Sequence, residues 1–413
     1  MTCIHSLQFK TPAWLSKFTS VLFTLFMMFI SVTFVIGLTH SVTISTLLLC
    51  SLLLLADLLY YVRMQHPLVY YSLMIRLFPR WTSAYYKRAN VYWNRKEFQR
   101  ALADYEKVIQ RRPHDAEMYA DRGLIYYEMR AYRQCLSDCE RALELNVTLA
   151  KAYTGLGLAY DGLREYYQAI QQYDRAIAYD ATNPWPYWNR AAAHYELKAY
   201  RDAIRDCDAA LALDPNYIYA CCYRGLACSR LEAYQQALED CTRAIAADPA
   251  CAYAYVCLGQ VYLRLNEPQQ AIVAFSKGWE LDPQAINYAL MIEWAKMCVE
   301  RPDGSMADRL EAMAAKKPTH RSAALCRAVA QWLRGNCEKA VAEMQEAPRS
   351  ASEAEFFSFW QGMILLSVGR EDEALAALAQ ALDLAPILLT PLHWLQQDRP
   401  DVYARAIIPL LAR

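Results

Sequence analysis

The residues of this 413-residue chain best able to carry chemistry are its seven histidines and fourteen cysteines. His5, His40, His66, His114, His194, His320 and His393 are scattered, and none stands at a metalloprotease spacing or beside cysteine at a metal-ligand spacing. Cys135 and Cys139 are four apart, so on a helix they share a face and could present two ligands. Cys221, Cys222 and Cys228 form a second group open to redox or metal use. With 12 glycines in the whole chain there is little material for a phosphate loop, and no GxSxG elbow or dinucleotide fingerprint occurs. The expectation is no catalysis, no cofactor and no metal, with the cysteines filling small apolar sites in a reducing compartment.

The elements that hold these residues repeat. Units of 34 residues start at Thr82, Ala116, Ala150, Pro184, Ile218 and Ala252. Position 8 is always small: Ala89, Gly123, Gly157, Ala191, Gly225, Gly259. Position 20 is Ala or Cys (Cys135 among them), and position 27 is Val108, then Ala142, Ala176, Ala210, Ala244 and Gly278. Two helices of about 14 residues pack closely only where small residues meet at their crossing. Pro113, Pro215, Pro249 and Pro283 at position 32 end the second helix. Weaker units start at Asn287, Arg321 and Glu355; the first carries Trp294, Met306 and Met313 at the small sites, so it must pack differently. His194 and the Cys135–Cys139 pair fall on core positions of this pattern.

Positions 7 and 23 change together. Arg88, Arg122, Arg190 and Arg224 stand with Asp104, Asp138, Asp206 and Asp240, whereas Leu156 and Leu258 stand with Gln172 and Ala274. Arg327 and Glu343 follow the same rule, and Glu293 and Arg309 carry the signs exchanged. The covariation predicts a partly buried ion pair between the two helices of each such unit.

Period and signature positions together resemble the tetratricopeptide repeat family. The resemblance covers about residues 82–388 and implies an all-α, right-handed α-solenoid of about nine helix-turn-helix units. Six regular units fill 82–285, three degenerate ones 286–388, and residues 389–413 are expected to cap the open end. It also implies that positions 2, 5, 9 and 12 of the first helices line a concave groove. Those sites hold Tyr86, Asn90, Trp93, Tyr127, Trp185, Trp188, Tyr195, Tyr219 and Tyr253, which suit a protein or peptide with an apolar or aromatic motif. The alternative occupant is the chain's own C-terminal segment or a neighbouring turn of the superhelix. Some family members clamp a chaperone-tail carboxylate with lysines and asparagines. The matching window here reads Tyr86, Asn90, Asp121, Lys151 and Gly155, and Asp121 would repel a carboxylate, so no such clamp is expected.

Before the repeats, Phe18 to Leu38 is an uncharged run long enough to cross a bilayer, and Val42 to Val62 is a second run broken only by Asp57. Asp57 reads either as an ion site or, so near the end of its run, as an interfacial residue. Residues 1–65 are expected to form a two-helix transmembrane hairpin, and residues 66–81, with Tyr70, Tyr71, Trp81, Arg76 and Arg80, an interfacial linker. Lys10, Lys17, Arg63, Arg76 and Arg80 flank the spans and the link between them has no Lys or Arg, which predicts both ends and the repeat domain in the cytoplasm.

The 43 basic and 43 acidic residues leave no nucleic-acid footprint. The function expected is a membrane-anchored scaffold, the alternative an accessory or assembly subunit of a membrane enzyme or export complex. If a catalytic site exists, the irregular stretch 287–320 is where it would be.

Overall fold

The computed structural model describes residues 60–283 without a break and most of 285–384. The expected spans fall almost wholly in residues 1–59, outside the described residues, as does nearly all of the expected cap at 389–413. No helix among the described residues is long and apolar enough to cross a membrane. Every regular element among them is helical. The chain forms two compact units that divide after Met118.

In the first unit, α1 (Pro67–Leu77) packs on α2 (Thr82–Asn94), which pairs with α3 (Phe98–Arg111). Pro67 starts α1, where its missing N–H costs nothing. Tyr71 and Met74 are buried against Ala84, and Arg88 Nη1 donates to Ser72 Oγ at 3.2 Å. The expected interfacial linker is therefore also a helix docked on the first repeat. Its other face leaves Leu73, Leu77, Phe78 and Trp81 exposed beside Arg76 and Arg80.

The second unit continues as helix pairs: α4 (Ala116–Glu128) with α5 (Tyr132–Leu145), α6 (Ala150–Gly162) with α7 (Tyr166–Tyr179), and α8 (Pro184–Glu196) with α9 (Tyr200–Leu213). Then come α10 (Ile218–Arg230) with α11 (Tyr234–Ala247) and α12 (Ala252–Arg264) with α13 (Pro268–Leu281). The weaker repeats supply α14 (Ile286–Met297), α15 (Gly304–Lys316), α16 (Ala323–Leu333), α17 (Cys337–Glu346), α18 (Ala354–Ser367) and α19 (Glu371–Leu384).

Small residues bring each pair together. Ala169, Ala176, Ala191, Ala203 and Ala210 are fully buried. A Cβ on Gly157 would stand 2.7 Å from Cδ1 of Tyr173, closer than carbon atoms approach. Tyr173 is at position 24, and Cys139, Cys207, Cys241 and Phe275 fill the same site in neighbouring repeats, all fully buried. Between α14 and α15 the pattern fails: Trp294 and Met306 are buried where small residues belong, and these two helices touch far less than the other pairs.

The turn inside each repeat has one fixed geometry. Lys96, Arg130, Arg164, Lys198, Glu232 and Asn266, all at position 15, have φ between 59° and 64°, and Gly335 and Gly369 take the same place later. This left-handed residue lets the backbone cap the first helix, as where Arg130 N donates to Tyr127 O at 2.8 Å and Ala131 N to Tyr126 O at 2.8 Å.

Positions 7 and 23 meet as two-point ion pairs. Arg88 Nε and Nη2 donate to Asp104 at 2.7 and 2.8 Å, and Arg122 does the same to Asp138, both at 2.7 Å. Arg190 binds Asp206 at 2.9 and 2.5 Å, and Arg224 binds Asp240 at 2.8 and 2.5 Å. Arg327 reaches Glu343 at 2.7 Å, and Arg309 reaches Glu293 at 2.9 and 2.6 Å. Two arginines extend the contact to the preceding repeat, Arg190 to Asp174 at 2.5 Å and Arg224 to Asp208 at 2.6 Å. The carboxylates are nearly enclosed, with Asp138 10% exposed, so a lone partner would be a buried charge without compensation. Arg122→Leu should cost about 3 kcal/mol in chemical denaturation. Adding Asp138→Gln, which copies Leu156 and Gln172 of the next repeat, should return most of that loss.

Candidate aromatic groove

The first helices of successive repeats lie side by side, α6 on α8, α8 on α10 and α10 on α12. Each turns one face into its own helix pair, which leaves positions 2, 5, 9 and 12 on the other. On that face the rings form one continuous group. Trp188 stacks on Tyr219 at 5.2 Å between centroids, and Tyr219 reaches Tyr253 at 6.3 Å. Tyr223 touches Trp188 at 5.9 Å, Tyr195 at 6.1 Å and Tyr253 at 6.1 Å, and Tyr217 lies 6.3 Å from Trp188. Tyr219 is the most open, 46% exposed, and the other five are half-buried. Burial pushes the Tyr217 hydroxyl up to about 12 and those of Tyr223 and Tyr253 above their usual value, so all stay neutral donors. Arg230 Nε donates to the Tyr195 hydroxyl at 2.9 Å, with its guanidinium over the rings of Tyr195 and Tyr200.

Trp188, Tyr195, Tyr219 and Tyr253 are thus brought together. Trp185 is not part of the ring group; it is half-buried one turn earlier, where its backbone N–H donates to Asn183 Oδ1 at 3.0 Å and its carbonyl accepts from Asn189 Nδ2 at 2.8 Å. Tyr127 packs against Tyr132 at 6.1 Å. In the first unit Tyr86 lies edge-on to Tyr105 at 5.9 Å, Trp93 is half-buried, and Asn90 Oδ1 accepts from the Tyr105 hydroxyl at 2.5 Å. Asn90 is therefore committed to its own repeat and offers a ligand less than its groove position suggests. Tyr217 and Tyr223 were not foreseen, because they sit at the repeat junction and at position 6. The one signal was that position 6 holds no other aromatic in the six regular units.

Lys151 Nζ is 3.0 Å from Asp121 Oδ1, so the one lysine of the clamp window is held by a carboxylate of its own chain. His194 Nε2 lies 3.7 Å from Asp206 Oδ2, beside a structural ion pair. Cys135, Cys139, Cys221, Cys222 and Cys228 are buried. The Cys135 hydrogen bond and burial raise the Cys139 thiol, and burial raises Cys228 to about 11; both are poor nucleophiles at neutral pH. Among the described residues no three His, Cys, Asp or Glu side chains converge as metal ligands. An open cleft of about 810 Å³ lies away from the rings, between Arg224, Glu239 and Arg243, and its charges are mixed.

Asp161, at position 12 of its repeat, is the one acid on this face between Tyr127 and Tyr195. It keeps some exposed surface, but desolvation of the carboxyl pushes its pKa up to about 6.

Helix pairs, an array of tight crossings and an aromatic face of first helices define an all-helical repeat protein of the binding-scaffold architecture. Family profiles described as "Tetratricopeptide repeat" match residues 82–115, 184–217, 224–286 and 358–387, and one described as "TPR repeat" matches 165–198. The matched segments are tetratricopeptide repeats. No curated protein matches it. Among solved structures, the Cut9–Hcn1 hetero-tetramer of the APC/C is similar at 17% identity, over 64% of this chain and 52% of that one, with a TM-score of 0.51. A tetratricopeptide repeat protein from Parabacteroides merdae is similar at 16% identity, over 58% and 96%, with a TM-score of 0.49. YrrB, described as having an unusual peptide-binding site, is similar at 20% identity, over 45% and 96%, with a TM-score of 0.35.

The raised Asp161 pKa has a consequence for stability. Its folded value lies above the usual value of about 3.9 in an unfolded chain, so folding favours the protonated form. The folded state suffers no penalty from Asp161 below about pH 4; the penalty grows as pH rises towards 6 and is complete above it. Asp161→Asn should therefore raise the melting temperature at pH 7.5 and change it much less at pH 4.

Proposed function

We propose that this protein is a membrane-anchored scaffold that holds a protein or peptide segment against the aromatic face of its repeats at the cytoplasmic side, without catalysis of its own. The observation that carries the binding reading is the continuous ring surface from Trp188 through Tyr219 to Tyr253, open to solvent at Tyr219. Binding energy concentrates in aromatic side chains that exchange such half-exposure for full burial. Membrane attachment is supported by the apolar runs in residues 18–62 and by the open side of residues 60–81. There Tyr60, Tyr61, Met64, Leu77, Phe78 and Trp81 are exposed among Arg63, Arg76 and Arg80, the composition of a membrane interface. The same surface favours the second reading, an accessory subunit of a membrane complex in which partner helices cover it.

Photoreactive benzoyl-phenylalanine placed at Tyr127 of the full chain should cross-link to the partner in cells. Tyr219→Ala should cut that adduct at least about tenfold, the loss expected for a hot-spot ring. Lys151→Ala should leave it within about twofold, because its ammonium faces Asp121. An adduct indifferent to Tyr219 but lost with Lys151 would show an acidic ligand instead. Topology reporters at residue 5 and residue 413 should both read cytoplasmic; an outside signal at either end would contradict the hairpin.

A further inference from the structure

Position 12 of the first helices runs Tyr127, Asp161, Tyr195 along α4, α6 and α8, so one carboxylate stands between two tyrosines on the groove face. Next to it, Gly162 lies directly under the ring of Tyr132, which leaves no room there for any other side chain. Tyr132 in turn touches Tyr127. Beneath this face lies Tyr173. Its ring is fully buried over Gly157, and its hydroxyl is buried with no hydrogen-bond partner. Position 24 of the first repeat shows what such a hydroxyl ordinarily does, since Tyr105 donates to Asn90. In the third repeat the residue equivalent to Asn90 is Leu158, which accepts nothing. Burial raises the Tyr173 hydroxyl most, and Asp161, Tyr127 and Tyr223, all on first helices, add to it.

Asp161 forms no ion pair among the described residues. The cations of the neighbourhood have other partners: Lys151 is on Asp121 and Arg230 on the Tyr195 hydroxyl. The Arg164 charge acts on Tyr166. A desolvated carboxylate without a counter-charge, beside a buried hydroxyl without a partner, is an arrangement a folded chain rarely keeps for its own stability.

The geometry points to a binding site for a cationic side chain: a lysine or arginine of the peptide held in the aromatic groove inserts between Tyr127 and Tyr195, pairs with Asp161 and donates to the Tyr173 hydroxyl. This inference rests on the groove reading above and adds the chemistry of its ligand. The tyrosine faces attract a cation, the carboxylate supplies the opposite charge, and the Tyr173 oxygen has free lone pairs to accept an N–H. An acidic side chain would meet Asp161 as a like charge. An apolar one would bury the carboxylate further and leave it alone.

The test uses the full chain and a displayed library of random decapeptides. Peptides captured by the wild type should carry lysine or arginine at one fixed position beside aromatic residues, and Asp161→Asn should erase that preference while still selecting the aromatics. The best arginine peptide should bind at least about tenfold tighter than the same peptide with citrulline, its neutral isostere. That ratio should collapse to about one in Asp161→Asn and shrink in Tyr173→Phe, which removes only the hydroxyl. Tyr219→Ala should weaken both peptides equally. Capture of aromatic peptides with no cation preference, or a preference that survives Asp161→Asn, would overturn the cation site and leave the groove standing. Capture of no peptide, or of peptides indifferent to Tyr219→Ala, would overturn the groove and the cation site with it.

Discussion

The close crossing of two helices at positions 8, 20 and 27 is the constraint on which everything else here depends. A small residue, alanine or glycine at most of these sites, lets the backbones approach until position 24 fills the remaining space. Tyr173 over Gly157 and Phe275 over Gly259 are two solutions to that problem, and Cys139 against Gly123 is a third. A larger residue at position 8 has nowhere to go, because interiors are packed as densely as organic crystals. The stretch from Ile286 to Lys316 shows the alternative. With Trp294 and Met306 at the crossing, α14 and α15 touch less than the other pairs, and the Arg309–Glu293 pair links them beside a shared apolar cluster that includes Trp294, Met306 and Leu310.

The same crossing sets the groove. Because each first helix turns its small residues inward to its own partner, its opposite face is released from the core of the repeat. Neighbouring first helices then touch along that face, and aromatic side chains such as Trp188, Tyr219 and Tyr253 span the gaps between repeats. The ion pairs add a second link. Arg190 and Arg224 each hold the second helix of their own repeat and reach back to Asp174 and Asp208 in the one before, so they couple the register of adjacent repeats. Such pairs add little stability over an apolar substitute, but they tolerate only one relative placement of the helices.

What depends on one repeat was legible in the sequence: the period, the two helices of each unit and the partners at positions 7 and 23. What depends on two repeats was not. Tyr223 and Tyr217 enter the ring group only because α8, α10 and α12 stack with a particular offset, and no pattern within a unit encodes that offset. Asn90 looked like a groove residue by position, yet the hydroxyl of Tyr105 draws it into its own repeat, an exchange decided by a side chain fifteen residues away. Position 12 places Asp161 on the groove face, but nothing within its unit shows that its carboxyl is desolvated.

Native-state hydrogen exchange on Gly157→Leu tests the dependence on close crossings most directly. Overpacking of this kind costs about 1–3 kcal/mol, and in a linear array the damage stays near its own repeat. Protection should fall in α6 and α7 and in the helices touching them, and remain at wild-type levels in α16 to α19. Uniform loss of protection along the chain, or no loss in α6 and α7, would contradict the account.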